Sequence, residues 1–125
     1  MKKIKVAVIG VGYLGEFHAD KYHANKSVDL IGVVDSDRKR RDAISKKLNI
    51  SGFSDYTKVL DDVDAVSISV PTDLHFKIGK FFIENGKHVL IEKPFTKNLF
   101  EATKLKKIAK KKGVVLQIGH IERFN

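Results

Sequence analysis

Apolar residues in this chain fall into two kinds of stretch that alternate from one end to the other. Continuous runs rich in β-branched residues stand at 4–9, 28–34, 65–70, 88–91 and 114–118, as strands buried on both faces of a sheet do. A shorter run at 52–54 predicts a sixth strand. Between the runs the spacing turns helical. Leu74, Ile78, Phe81 and Phe82 lie at i, i+4, i+7 and i+8, with Asp73 placed to cap that helix and Gly86 to end it. Asp37 is placed to cap a helix running to about Leu48. Asn98, with Glu101 three residues on, resembles a capping box before Leu99, Ala102 and Leu105, and Gly113 closes that helix. Strand and helix in alternation predict an α/β fold: a doubly wound, mainly parallel six-stranded Rossmann sheet with helices on both faces.

Composition narrows the function. At 125 residues, 42% hydrophobic and 31% charged with 2 prolines, the chain is sized for one globular domain. No apolar run approaches the ~18 residues that cross a bilayer, and Met1-Lys2-Lys3 leads into a strand rather than a signal-peptide core. A cytoplasmic protein with no membrane partner is the expectation. Without cysteine there can be no disulfide, thiolate metal ligand or cysteine nucleophile, so redox chemistry would need a bound cofactor. Of the net charge of +9, most sits in residues 93–125, which hold 9 Lys or Arg against 2 acids. From Lys104 to Lys112 the lysines surround Leu105, Ile108 and Ala109 at helical spacing, the pattern of a solvated face. No aromatic residue interleaves them to stack on bases, so no nucleic-acid partner is expected.

The first run leads into Gly10-Val11-Gly12-Tyr13-Leu14-Gly15, a Gly-x-Gly-x-x-Gly element. The spacing alone is weak; its surroundings make it specific. A buried strand precedes it, a helical pattern through Phe17 and Tyr22 follows, and Asp35 ends the second strand 20 residues after Gly15. Gly10 permits the tight turn, Gly12 lets backbone approach a pyrophosphate, and Gly15 lets the helix pack closely on the sheet. The pyrophosphate would rest on the free N–H groups of Tyr13, Leu14 and Gly15 at the positive helix end. Asp35 would accept from the adenosine ribose hydroxyls and repel a 2′-phosphate, favouring NAD over NADP. Arg38 and the Lys39-Arg40-Arg41 run oppose that preference if they reach a 2′-phosphate, and are solvated surface if they do not.

These residues resemble the Gfo/Idh/MocA dehydrogenases, the family of glucose-fructose oxidoreductase, inositol dehydrogenase and rhizopine catabolism proteins, over all 125 positions. Val70-Pro71-Thr72-Asp73-Leu74-His75 is similar to the family's Pro-x-x-x-His segment, and Glu92-Lys93-Pro94 to its Glu-Lys-Pro signature. The ending from Gly119-His120 to Asn125 is similar to the passage into the family's second domain, particularly in the branch acting on UDP-N-acetylglucosamine derivatives. The resemblance implies that Val70, Pro71, Thr72, His75, Glu92 and Lys93 border the cofactor and that Lys93 is catalytic. Its position also supports that role. Ligands of open parallel sheets sit at the carboxyl ends of strands, and an ammonium there can hold a substrate hydroxyl and stabilise the developing alkoxide. On composition alone Lys93 is a surface lysine. His75 and His120 either approach the cofactor cleft or cap and pack locally; His18, His23 and His88 read as packing or surface residues, and no metal-ligand cluster is spaced along the chain.

The family's acid/base Asp and His belong to a second domain with no counterpart here. The expected organisation is therefore a dinucleotide-binding Rossmann domain at 1–119, with 120–125 starting the connection to an absent C-terminal substrate domain. The expected function is hydride transfer between NAD and a secondary hydroxyl of a sugar or nucleotide sugar, in a homo-oligomer. A stand-alone, non-catalytic nucleotide-sensing module is the alternative, which would have no reason to keep Glu92-Lys93-Pro94.

Overall fold

The structure, a computed structural model, describes residues 2–92 and 99–119. Six strands, β1 (Ile4–Ile9), β2 (Val28–Val34), β3 (Ser51–Phe53), β4 (Ala65–Ile68), β5 (His88–Glu92) and β6 (Leu116–Gly119), form one sheet in the order β3-β2-β1-β4-β5-β6. Every pairing is parallel. The order reverses direction beside β1, which pairs with β2 through Ile9 and Val34 and with β4 through Ile9 and Ile68. A crevice opens at the carboxyl ends of strands where such a reversal occurs.

Helices α1 (Tyr13–Ala24) and α2 (Arg38–Leu48) cover one face, and α3 (His75–Glu84) and α4 (Leu99–Lys112) the other. Alternate residues of β1 feed the two cores, as strand geometry requires. Val8 packs with Ala19, Leu30, Ile44 and Leu48, while Ala7 and Ile9 pack with Ile68, Ile78, Phe82, Ile91 and Leu105. Leu105 and Ala109 are buried, and the lysines between them face outward as the spacing predicts. Among the described residues no helix is long and apolar enough to cross a membrane.

The helix ends follow local chemistry. The Asp37 carboxylate accepts from the Arg40 amide at 3.2 Å, capping α2, and Asn49 closes that helix in the left-handed conformation at φ 55°. Gly86 and Gly113, at φ 79° and 70°, follow α3 and α4. Lys47 at the end of α2 reaches Glu16 at 3.0 Å and Asp20 at 3.1 Å on α1, joining the two helices.

Five sequence expectations shift. β3 runs Ser51–Phe53, one residue before the expected 52–54. Asp73 does not cap α3. The Leu74 amide bonds the Pro71 carbonyl at 2.9 Å, so residues Thr72–Leu74 form a 3₁₀ turn and α3 starts at His75 with no side-chain cap. β4 stops at Ile68, since the chain bends at Val70 and Pro71 has no N–H to extend the ladder. β6 starts two residues late, because the Val114 amide is taken by Ala109 at the end of α4. β5 runs one residue further, to Glu92. The Asn98 cap lies outside the described residues.

Two outcomes follow from this packing. Phe82 is wholly buried among Ile78, Ile83 and Ile91, so Phe82→Ala should lower unfolding free energy in urea by about 3–5 kcal/mol. A loss below about 1 kcal/mol would contradict that core. The Asp37 carboxyl is held below the usual range, first by the hydrogen bond from the Arg40 amide and then by the Arg40 charge. A depressed folded pKa stabilises the fold above about pH 4 and loses that contribution as pH falls through the folded value. Asp37→Ala should therefore melt earlier than the parent at pH 7, with the gap closing as the pH falls below the ordinary carboxylate range. A gap unchanged at acid pH would refute the cap.

Candidate functional site

Three carboxyl ends meet at the reversal point. After β1 the chain turns through Gly10, whose amide bonds the Val34 carbonyl at 2.7 Å, while the Ser69 amide bonds the Ile9 carbonyl at 2.8 Å. The turn is thus fixed to both neighbouring strands. Gly10 sits at φ +92°, and a Cβ there would stand 2.6 Å from the Ser69 carbonyl oxygen. A Cβ on Gly15 would stand 1.7 Å from the Gly10 carbonyl oxygen, so the first turn of α1 presses directly on the loop. Gly12 differs. Its φ is −67°, and an added Cβ would meet nothing nearer than Arg40 Nη1 at 3.9 Å.

That contrast bears on the ligand. The fold itself requires Gly10 and Gly15, whereas among the described residues only Arg40 approaches the space beside Gly12, which lines a cleft of about 530 Å³ at the amino end of α1. The Glu16 amide already bonds the Gly12 carbonyl at 2.9 Å. The earlier amides, on Tyr13, Leu14 and Gly15, precede the first helical carbonyl and are donors for an anion at the positive helix end. Tyr13 is 90% exposed beside them. The cradle fits a dinucleotide's pyrophosphate.

Asp35, buried at 7% exposure, follows β2 and lines the same cleft. One carboxylate oxygen accepts from the Val11 amide at 2.9 Å; the other accepts from the Asp37 amide at 2.8 Å and from Arg40 Nη2 at 3.3 Å. The carboxylate therefore ties the glycine loop to the start of α2, and its remaining lone pairs are what a ribose diol could use. Val70 and Pro71 form the opposite wall with Leu74 and Ile78. Thr72 opens the 3₁₀ turn that follows Pro71.

His75 is buried beneath that wall, its Nε2 donating to the Val70 carbonyl at 2.9 Å, so it holds the β4–α3 loop. His18 is also fully buried, with Nδ1 at 2.8 Å from Ser67 Oγ on β4 and 3.4 Å from Ser69 Oγ, and it joins α1 to the strand below the glycine loop. His88 is exposed and accepts from the Val115 amide at 3.0 Å, while His23 is exposed. Glu92 is the last residue of β5, paired with Gly119. Lys93, Pro94 and His120 lie outside the described residues. Among the described residues no cluster of His, Asp and Glu could hold a metal ion.

Sequence reasoning missed Ser54, Asp55 and Tyr56, which line the cleft from the loop after β3. Their signal was positional: in the order β3-β2-β1-β4 the end of β3 adjoins the end of β2, but a three-residue strand leaves little pattern. Arg40 was seen only as one member of a charged run; the structure places it alone of that run on the cleft.

The profile described as "Oxidoreductase family, NAD-binding Rossmann fold" matches residues 4–120. The UDP-N-acetylglucosamine 3-dehydrogenase of Acidithiobacillus ferrooxidans is 42% identical over 125 residues, covering 100% of this chain and 39% of that protein. Its solved structure superposes with a TM-score of 0.91 over 98% of this chain and 40% of its own. The scyllo-inositol 2-dehydrogenase (NAD(+)) of Bacillus subtilis is 34% identical, covering 98% of this chain and 37% of that protein. GenD2 from gentamicin A biosynthesis, solved in complex with NAD, has a TM-score of 0.92 at 31% identity, over 95% of this chain and 35% of its own. The chain thus spans about two fifths of the length of the relatives it matches.

The glycine contrast is testable. Gly12→Val should cost at most about 1 kcal/mol of stability yet weaken NADH binding tenfold or more, because its side chain enters the cleft and not the fold. Gly15→Ala should destabilise by roughly 1–3 kcal/mol through the clash with the Gly10 carbonyl. Unchanged NADH affinity in a folded Gly12→Val protein would place any ligand elsewhere.

Proposed function

Because the chain belongs to the Gfo/Idh/MocA oxidoreductase family, we propose that these residues hold NAD(H) for hydride transfer from the carbon bearing a secondary hydroxyl of a sugar or nucleotide sugar, or in reverse to the ketone it becomes. The observation that carries this is the unfilled space at Gly12, beside the buried Asp35 carboxylate and the amino end of α1. When bound, the nicotinamide supplies the hydride acceptor or donor. Gly10 and Gly15 shape the loop, Gly12 leaves room for the pyrophosphate, and the amides of Tyr13, Leu14 and Gly15 meet its charge. Asp35 takes the ribose hydroxyls. Val70 and Pro71 wall the cleft, and His75 acts by fixing that wall rather than by touching the reacting atoms.

Lys93 follows directly on β5, and the carboxyl end of that strand lies beside the cleft wall built from β4. We assign it the substrate hydroxyl, which its ammonium would bind and whose alkoxide it would stabilise as hydride leaves carbon; Glu92 borders the same end. Residues 1–119 then serve as the cofactor domain, and 120–125 begin the connection to a substrate domain. The names of the two curated relatives support a polyhydroxylated substrate, nucleotide-linked in one and free in the other.

The carboxylate of Asp35 favours NAD(H) over NADP(H), because a 2′-phosphate offers no hydrogen to it and carries like charge. Titration followed by nicotinamide fluorescence should give tighter binding for NADH than for NADPH. Equal or tighter NADPH binding would contradict the preference, and binding of neither would contradict the cofactor assignment itself.

A further inference from the structure

On the α1 side of the sheet one strand departs from the apolar pattern. Val66 and Ile68 of β4 belong to the core beneath α3 and α4, so strand alternation turns Ser67, and Ser69 just beyond it, toward α1. The neighbouring strands β1 and β2 fill that side with Val8, Leu30 and Val33. β4 offers two hydroxyls there instead, and α1 meets them with an imidazole. His18 is wholly buried, with Nδ1 2.8 Å from the Oγ of buried Ser67 and 3.4 Å from Ser69 Oγ. Its ring meets Phe17 and Tyr22 edge-on, at 6.3 and 6.4 Å between centroids. Hydrogen bonds replaced on both sides by hydrocarbon of the same shape cost a fold little, so stability alone gives no reason for this polar trio in an apolar layer. What it contributes is direction. Apolar packing is non-directional, whereas a hydrogen bond fixes a distance and an angle.

We propose that His18 is a positioning residue for the cofactor: through Nδ1 it locks α1 to the end of β4 and so sets where the leading amides of that helix meet an anion. The proposal rests on the reading of the cleft as a dinucleotide site, and adds that affinity there depends on a hydrogen bond buried out of the ligand's reach. The location of the trio shows what it fixes. His18 follows Gly15 by three residues, roughly 4.5 Å further along the helix axis, behind the amides of Tyr13, Leu14 and Gly15. Ser69 stands at the loop itself and lines the cleft. Its amide bonds the Ile9 carbonyl at 2.8 Å, its carbonyl oxygen lies 2.6 Å from where a Cβ on Gly10 would stand, and its own Cβ lies 3.6 Å from where one on Gly15 would stand. With hydrocarbon at position 18, α1 keeps its apolar contacts through Ala19 and Tyr22 but loses the bond that stops it sliding on β4. Amide bonds to a phosphate weaken steeply when their geometry is spoiled, so a small shift of the helix costs affinity before it costs the fold.

Calorimetric titration of the intact chain with NADH, paired with urea unfolding of the same preparations, tests this. His18→Leu, similar in volume, should bind NADH about tenfold more weakly while its urea midpoint stays within about 0.5 M of the parent's. His18→Asn should recover most of the lost affinity, because its amide places an oxygen or an NH₂ where Nδ1 stands and so serves either tautomer. Ser67→Ala removes the nearer hydroxyl and leaves the imidazole in place; it should weaken NADH binding about threefold or more, and it decides the question if His18→Leu does not fold. NADH affinity within twofold of the parent's in the folded variants would overturn the proposal and leave the cofactor site standing. A loss in His18→Leu that His18→Asn does not recover would also overturn it, since the hydrogen bond would then not be what matters. A parent protein that binds no NADH overturns both the proposal and the cofactor reading.

Discussion

A single buried carboxylate holds together the parts from which the cleft is made. Asp35 receives the Val11 amide from the glycine loop after β1 and the Asp37 amide from the start of α2 after β2, two pieces of backbone from adjacent strand ends. Desolvating a carboxylate is costly unless hydrogen bonds replace the lost water, and here two amides and a guanidinium do so. The loop, the strand end and the helix start are thereby fixed relative to one another within hydrogen-bond tolerances. Asp37 then caps α2 itself, and that cap delivers Arg40 to the cleft. A site whose geometry depends on one residue in this way is preorganised before any ligand arrives, so less ordering remains to be done on binding.

The glycines divide between fold and ligand. Gly10 and Gly15 satisfy constraints internal to the protein, one a left-handed turn against Ser69 and the other a helix laid on the preceding carbonyl. Gly12 satisfies neither of these: it is the amino-terminal cap of α1 at an ordinary φ of −67°, and a Cβ added there would meet the open cleft beside Arg40. Beneath the loop, the His18–Ser67 contact joins α1 to β4, so the loop is supported from the strand on the far side of the reversal point as well. The cleft sits where the strand order turns because only there do adjacent βα connections leave in opposite directions and open a gap.

The strands and their order were legible because fully buried parallel strands read as unbroken β-branched runs, and the Gly-x-Gly-x-x-Gly element marks β1 as the central one. Asp37, Gly86 and Gly113 were legible as caps because each acts on its immediate neighbours. Asp73 misled for the same reason that makes caps readable: it stands just before the apolar stripe, but the Leu74 amide bonds the Pro71 carbonyl and draws Thr72–Leu74 into a 3₁₀ turn, so that Leu74 and not Asp73 precedes α3. The His18 contact with Ser67 spans 49 residues and has no local signature, so no periodicity argument could find it. Arg40 was equally hidden. Four adjacent cations look alike in sequence, and only the fold shows that Arg38 and Arg41 are turned toward Asp42 while Arg40 faces the cleft.

The amino end of α1 should receive a dinucleotide's pyrophosphate over Gly12, with the adenosine ribose at Asp35. A crystal structure of the chain grown with NADH tests this most directly. It should show the pyrophosphate within hydrogen-bond distance of the amides that follow Gly12, and the adenosine ribose hydroxyls on the Asp35 carboxylate while that carboxylate keeps its bond from Val11. Density for the nucleotide elsewhere on the molecule, or in the cleft with its phosphates turned away from α1, would contradict it.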